Sequence, residues 1–276
     1  MTFAKTGVSN YEPRLRRVER LSSTYSSAAE ILAFYHEILA FQKNLHAQIT
    51  RSAKDRSTPA LDGGKRGELD HSLVLPHFRA LLSLVESKGP AVLAESARQL
   101  AELPSDAWMA QLNAYWEYAG RYDQQIGAFA QFFPRALLQP YVEFISNKNF
   151  VPSIGATPRL CPLCGARPLI GVLRPEGDGG KRFLLCSFCS HEWEFRRILC
   201  PTCAEEREEK LPVYVAEQFP HVRVEACETC KFFLRTIDLT KDGHAVPLVD
   251  DLAAIPLTLW AHEHGYSRLQ PNLLGT

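Results

Sequence analysis

Residues 161–230 read CPLCGARPLI GVLRPEGDGG KRFLLCSFCS HEWEFRRILC PTCAEEREEK LPVYVAEQFP HVRVEACETC. All eight cysteines of the chain lie in this stretch, as the pairs Cys161/Cys164, Cys186/Cys189, Cys200/Cys203 and Cys227/Cys230. Two thiolates separated by two residues in a turn converge on one tetrahedral cation while backbone N–H groups point at the sulfurs, so two such pairs complete a four-sulfur shell. Eight cysteines therefore make two sites. A disulfide framework competes with this reading, but a cytosolic chain keeps its thiols reduced. Thioredoxin-like redox chemistry is the other competitor. It fits poorly, because proline follows the first cysteine in Cys161-Pro162-Leu163-Cys164 and Cys200-Pro201-Thr202-Cys203 and no βαβ pattern surrounds either pair.

Cys161 and Cys200 are 39 positions apart and Cys186 and Cys227 are 41 apart, so a CPxC pair followed by a plain CxxC pair recurs as one unit. The pattern is that of an internal duplication. Each unit reads as a rubredoxin-like or zinc-ribbon half, two cysteine turns at the tips of short hairpins, with 21 and 23 residues between the paired motifs. Cys161, Cys164, Cys186 and Cys189 are assigned to one metal and Cys200, Cys203, Cys227 and Cys230 to the other, interleaved pairing being the alternative. Tetrahedral sulfur suits both iron and zinc, and ligand identity does not choose between them. Four thiolates leave no open position, which favours a structural or electron-carrying ion over metal-activated water.

Upstream of the cysteines the chain reads as helices. Ala28, Ile31, Leu32, Tyr35, Ile38, Leu39, Leu45 and Ile49 step as one buried stripe. A polar break (residues 51–70) follows, then shorter helical patterns around Phe78, Leu81, Leu82 and Val85 and around Leu93, Ala97 and Leu100. Ser105 and Asp106 are N-cap candidates for a helix whose stripe, Trp108, Leu112, Tyr115, Trp116, Ala119, Tyr122, Ile126 and Phe129, is aromatic enough to suggest a groove but reads first as a bundle core. Pro134 fits the start of a further helix carrying Leu137, Leu138, Tyr141, Val142 and Ile145. Near Phe150 composition shifts to Pro, Gly and Thr. Strands are expected at 169–173, 182–185, 193–198, 213–217, 223–226 and 232–239, with a turn at 176–180. From Leu248 to Tyr266 helical spacing returns, with Leu252, Ile255, Leu259 and Trp260 on one face. The expected fold is α+β: a helical domain (1–150), two tandem rubredoxin-like β modules (151–198 and 199–245) and a C-terminal helical tail (246–276).

The chain has 276 residues, 46% of them hydrophobic, enough for a sizeable core, and its 31 basic and 31 acidic residues cancel. Zero net charge removes the bulk drive toward nucleic acid or anionic membrane. Between Pro158 and Thr240 the balance is again even, 12 basic against 12 acidic, with Arg196 and Arg197 beside Trp193 and Phe195 as the one suggestive cluster for a zinc-ribbon nucleic-acid binder. No run of about eighteen apolar residues and no N-terminal apolar h-region occurs, so the default location is the cytoplasm.

His191 and His221, near the cysteine turns, are expected in exposed loops rather than as ligands, because four pairs already fill two shells. Glu205, Glu206, Glu208 and Glu209 read as a solvated turn. His262 and His264 flank Glu263 but point to different helix faces. No GxSxG, phosphate-cradling glycine loop or HExxH motif occurs, so no catalytic residue is assigned and the chain reads as a non-enzyme.

CPLCGARP (161–168), FLLCSFCSHEWEFRR (183–197), CPTC (200–203), EACETCKFFLRT (225–236) and the tail PLVDDLAAIPLTLWAHEHGYSR (247–268) together resemble the formate dehydrogenase accessory protein FdhE family. The likeness is strong over the C-terminal half and general over the helical half. It implies a cytoplasmic, non-catalytic protein for biogenesis of respiratory formate dehydrogenase, binding the catalytic subunit before export and carrying rubredoxin-type iron at two sites, with zinc as the alternative. A homodimer is compatible with it. The metal-binding role transfers to the eight cysteines individually, and Asp250 and Asp251 match the tail motif with a fold-supporting or partner-facing role. A nucleic-acid-binding zinc ribbon and, behind it, a thiol oxidoreductase are the other two functions considered.

Overall fold

The computed structural model describes residues 11–54, 56, 58–63, 65–118, 128–148, 157–177 and 179–276. The stripe read from Ala28 onward lies on α2 (Ala29–Ser52), which buries Leu32, Tyr35, Ile38, Leu39, Leu45 and Ile49 together with Phe34 and Gln42. It packs against α1 (Tyr11–Thr24), a helix whose polar sequence hid it: two of its buried residues are Arg14 and Arg17, each bonded to a buried carboxylate. The polar break holds a small hairpin, β1 (Leu61–Asp62) with β2 (Lys65–Arg66), and a one-turn helix α3 (His71–Val74) capped by the Asp70 carboxylate, which accepts from the Ser72 amide.

Then come α4 (Phe78–Lys88) and α5 (Ala91–Ala101), with Phe78, Leu81, Leu82, Val85, Leu93 and Ala97 buried as their spacing predicts. In α6 (Ser105–Tyr118), Ser105 and Asp106 lie in the first turn rather than at the cap. Trp108 and Trp116 are core residues: their indole N–H groups donate to Leu100 and Gly67 carbonyls, and their rings pack on Phe78 and Tyr141. Ala119, Tyr122 and Ile126 lie outside the described residues, as does the side chain of Phe129.

Helix α7 (Ala128–Lys148) corrects the expectation for Pro134, which sits inside the helix with Pro140 rather than at its start. A proline within a helix removes the N–H that would have served the carbonyl four residues back. For Pro140 that carbonyl is Ala136, and the buried Gln42 side chain donates to it at 2.9 Å. The α2–α7 packing thus supplies the hydrogen bond that proline withholds.

The second half folds onto this helical layer as one sheet. Its strands are β3 (Pro168–Glu176), β4 (Gly179–Cys186), β5 (Glu192–Glu194), β6 (Val213–Val215), β7 (Val222–Ala226) and β8 (Phe232–Asp238), in the order β5-β4-β3-β8-β7-β6. Within each unit the neighbours are antiparallel; across the junction β3 and β8 run parallel. The order places third, second and first strand of one unit beside third, second and first strand of the other, the arrangement a duplicated unit adopts when its copies join head to tail. The two units are therefore halves of a shared sheet, where separate tandem modules were expected. At the junction Gly171 faces Thr236, and a Cβ at Gly171 would lie 2.1 Å from Thr236 Oγ1, so the close parallel pairing needs glycine there. Arg182 of β4 ties the units further, donating to the Arg196 and Leu199 carbonyls and to Glu225 of β7.

The tail is two helices, α8 (Pro247–Ala253) and α9 (Ile255–Glu263), followed by β9 (Ser267–Arg268) beside β8. The expected common face of Leu252, Ile255, Leu259 and Trp260 does not form. The chain breaks at Ala254 ahead of Pro256, and Leu259 is 57% exposed while Leu252 is buried.

Gln42→Leu should leave the Ala136 carbonyl buried without a donor and cost about 1–3 kcal/mol, read as a lowered urea midpoint with an unchanged slope. An unchanged midpoint would show that the carbonyl finds another partner.

Candidate metal centres

Each Cys-x-x-Cys pair sits in the same tight, backbone-bonded turn. The N–H of the first cysteine donates to the carbonyl five residues on: Cys161 to Ala166, Cys186 to His191, Cys200 to Glu205 and Cys227 to Phe232, all at 2.8–3.0 Å. The residue after the second cysteine has positive φ in all four turns: Gly165 at 70°, Ser190 at 55°, Ala204 at 62° and Lys231 at 59°. In three of them the following N–H returns to the first cysteine, from Gly165, Ala204 and Lys231. Backbone N–H groups also point at sulfur, from Phe188 to Cys186 and from Thr202 to Cys200, both 3.4 Å.

The sheet brings the turns together in pairs, Cys161, Cys164, Cys186 and Cys189 at one place and Cys200, Cys203, Cys227 and Cys230 at another, the sulfurs of each group lying within 4.8 Å of one another. This is the sequential grouping; the interleaved one does not form. Nearest sulfur–sulfur distances are 3.6 Å (Cys161–Cys189), 3.4 Å (Cys164–Cys186), 3.7 Å (Cys200–Cys230) and 3.6 Å (Cys203–Cys227). All eight cysteines are free of disulfides. A tetrahedral shell with metal–sulfur bonds of about 2.3 Å has edges of about 3.8 Å, so both clusters fit a four-coordinate ion, and zinc and iron fit equally.

Charge makes the same point. Burial pushes the Cys161 and Cys189 thiols well above their ordinary range. Burial acts the same way on Cys164, but hydrogen bonds with Cys161, Cys186 and Cys189 and the charge of Arg66 outweigh it and hold that thiol well below. In the second cluster the Cys230 and Cys203 thiols are raised, burial leading in each, and Cys227 is lowered by backbone and thiol hydrogen bonds against its burial. Neighbouring sulfurs thus resist sharing negative charge, and four thiolates in one cluster require a cation to stabilise them. Raised pKa is also the opposite of what a nucleophilic Cys203 would need.

The helical layer holds the first cluster from several sides. Arg66 of the small hairpin donates to the Cys164 carbonyl at 2.6 Å, and Arg135 of α7 donates to the Ser187 carbonyl at 2.9 Å. Ser190 donates to the buried Glu143, which also accepts from Tyr11 and Arg14 of α1. None of these partners carries a sequence signal, since an arginine in a polar run reads as surface until a tertiary acceptor is known.

Two aspartates of the tail motif are buried and paired. Asp250 accepts from Arg17 and His221 and from the Val246 amide; Asp251 pairs with Arg235 and Arg268 and accepts from Asn272. His221 is consequently buried, not exposed as its loop position suggested. Although His221, Asp242 and Asp250 could together ligate a cation, Arg17 already places its guanidinium against both carboxylates, 2.5 Å from Asp250 and 2.7 Å from Asp242. His191 is half-buried and stacks on Trp193. Glu205 is bonded to Arg207 and Thr229, so only part of the acidic run is a free solvated turn. His262 and His264 are exposed, His264 stacking on Trp260. Trp193 and Phe195 are 1% and 2% exposed, so neither offers a face for stacking bases. Among the described residues no helix is long and apolar enough to cross a membrane.

Helices laid over a duplicated sheet whose turns carry two closed four-cysteine shells define a cysteine-knuckle scaffold, a class in which the ions complete the fold and leave no open coordination position. Comparison with known proteins narrows the class. The chain belongs to the FdhE family: the family model "FdhE, central domain" matches residues 160–197 and "FdhE, C-terminal domain" matches 198–274. It is similar to the FdhE homolog of Aquifex aeolicus, 27% identical over 273 residues covering 95% of this chain and 94% of that one. It is also similar to the homolog of Pseudomonas aeruginosa, 31% identical over 209 residues covering 72% and 66%. The crystal structure of the FdhE protein from Pseudomonas aeruginosa superposes with a TM-score of 0.73 at 26% identity, covering 97% of this chain and 95% of that one.

Two tests follow from the geometry. Ala204→Gly and Lys231→Gly should each stabilise by about 1 kcal/mol, because positive φ strains an L-residue, while Gly165→Ala should destabilise by a similar amount; urea titration of metal-loaded protein reads all three. Asp251→Asn should cost about 3 kcal/mol or more by leaving Arg235 and Arg268 unpaired. Despite burial, which raises it, the Asp251 carboxyl is held low by those arginines. Its contribution is therefore present above the unfolded-state value of about 3.9 and lost as pH falls through the folded value, so the variant should show a flatter acid limb in a stability–pH profile.

Proposed function

We propose that the protein is a cytoplasmic, non-catalytic accessory factor for assembly of respiratory formate dehydrogenase, and that it binds the catalytic subunit of that enzyme. Cys161, Cys164, Cys186 and Cys189 hold one ion and Cys200, Cys203, Cys227 and Cys230 the other, rubredoxin-type iron in the first instance and zinc as the alternative. One observation carries the reading: a member of the FdhE family with two four-sulfur clusters, each spaced for a tetrahedral ion. An iron bound in this way supplies one-electron chemistry, while zinc supplies only rigidity. In either case the chain's own contribution is to hold the turns rigid and to present the surface around them to another polypeptide.

Family membership favours this over a nucleic-acid-binding ribbon, as does the burial of Trp193 and Phe195. The test is anaerobic purification of the tagged chain from cells producing formate dehydrogenase. Expected are co-purification of the catalytic subunit, two metal equivalents per chain, and, for iron, a visible thiolate absorption that dithionite bleaches. A chain that never captures the catalytic subunit overturns the assembly role; a colourless protein with two zinc ions overturns the iron assignment alone.

A further inference from the structure

The two clusters share turn geometry but not surroundings. All four cysteines of the first are buried, and they belong to the same hydrophobic core as Leu137, Tyr141 and Ile145 of α7. In the second, Cys200 and Cys227 are buried but join neither large hydrophobic cluster, Cys203 is exposed and Cys230 half-buried. Its bracketing side chains bond close to the surface, Thr229 to Glu205 and Lys231 to Glu228, which also accepts from Tyr266, and Arg159 donates to the Thr202 carbonyl. A cavity of about 460 Å³ opens against Cys200 and Cys227, walled by Ile198, Pro201, Leu211, Val213 and Phe232. That volume admits a small chelating or thiol ligand.

Resting on the reading that both clusters hold an ion, we propose that the second is an exchange site at which Cys203 is the ligand that yields, while the first stays closed for as long as the chain is folded. The difference lies in what must open. Freeing Cys203 displaces one surface turn. Freeing a ligand of the first cluster disturbs turns held by the Arg66, Arg135 and Glu143–Ser190 bonds and packed into the helical core, an opening of higher free energy. In the exchange, the bond from Cys203 Sγ to the ion breaks and a donor atom of the incoming ligand takes its place. The released sulfur takes a proton from solvent, and no electron changes hands. The ligand class is a compact soft donor, a low-molecular-weight thiol or a polydentate chelator.

The test uses full-length wild-type protein, purified without air and assayed for metal before challenge with EDTA. One of two equivalents should leave at least about ten-fold faster than the other. Iodoacetamide labelling, mapped by mass spectrometry, should rise in step at Cys203 and then Cys230, with Cys161, Cys164, Cys186 and Cys189 protected until urea unfolds the chain. Cys203→Ser should lose the fast equivalent and keep the slow one. Loss of both equivalents at a single rate, or labelling of the first cluster as early as the second, overturns the proposal. A starting content below two equivalents counts against the two-ion reading instead, and the order of labelling then decides the exchange site by itself.

Discussion

Convergence of four sulfur atoms inside a hydrophobic core is the constraint to which the rest of the chain is fitted. Cys161, Cys164, Cys186 and Cys189 are buried, and their turns are clamped by residues from α7 and the small hairpin as well as by their own backbone. Thiolates so close together repel, and burial pushes the Cys161 and Cys189 thiols toward the neutral form. An ion held by this cluster would therefore couple its binding to the ordering of the helical layer against the sheet. Core residues from the helices, such as Leu137 and Ile145, and the cysteines themselves belong to a single hydrophobic cluster.

Buried ion pairs supply the second set of fixed points. Arg17 reaches Asp250, Arg235 and Arg268 reach Asp251, and Arg14 reaches Glu143, so α1, α8, β8 and β9 are registered by charge as well as by apolar area. A buried pair adds little net stability over a well-packed apolar substitute, but breaking one half of it is costly. Such pairs hold elements in one register. The DDLA motif of the tail belongs to this scaffold, with both aspartates inside.

Duplication explains the sheet and its asymmetry together. Two copies of a knuckle–hairpin–knuckle unit meet edge to edge through the parallel pairing of β3 and β8. The first copy shares its core with the N-terminal helices, while the second packs mainly against α8 and α9. The second keeps the turn geometry, with the same positive φ after its cysteines, but leaves Cys203 exposed and Cys230 half-buried. Equivalent sequence thus yields two sites of equal coordination and unequal access.

The eight cysteines, their grouping into two shells, the duplicated unit, the core stripe of α2 and most of the strands were legible in the sequence, because spacing along the chain fixes which residues share a turn or a face. Merging of the two units into one sheet, the pairing of Asp250 and Asp251 with distant arginines, the burial of His221, and the rescue of the Ala136 carbonyl by Gln42 were decided only by the tertiary structure. These involve partners far apart in the chain, and local pattern carries no information about which distant polar group will satisfy a buried one. The interior position of Pro134 was misread for a related reason: tolerance of a proline within a helix depends on what its neighbours can donate, and that is settled only when the elements pack.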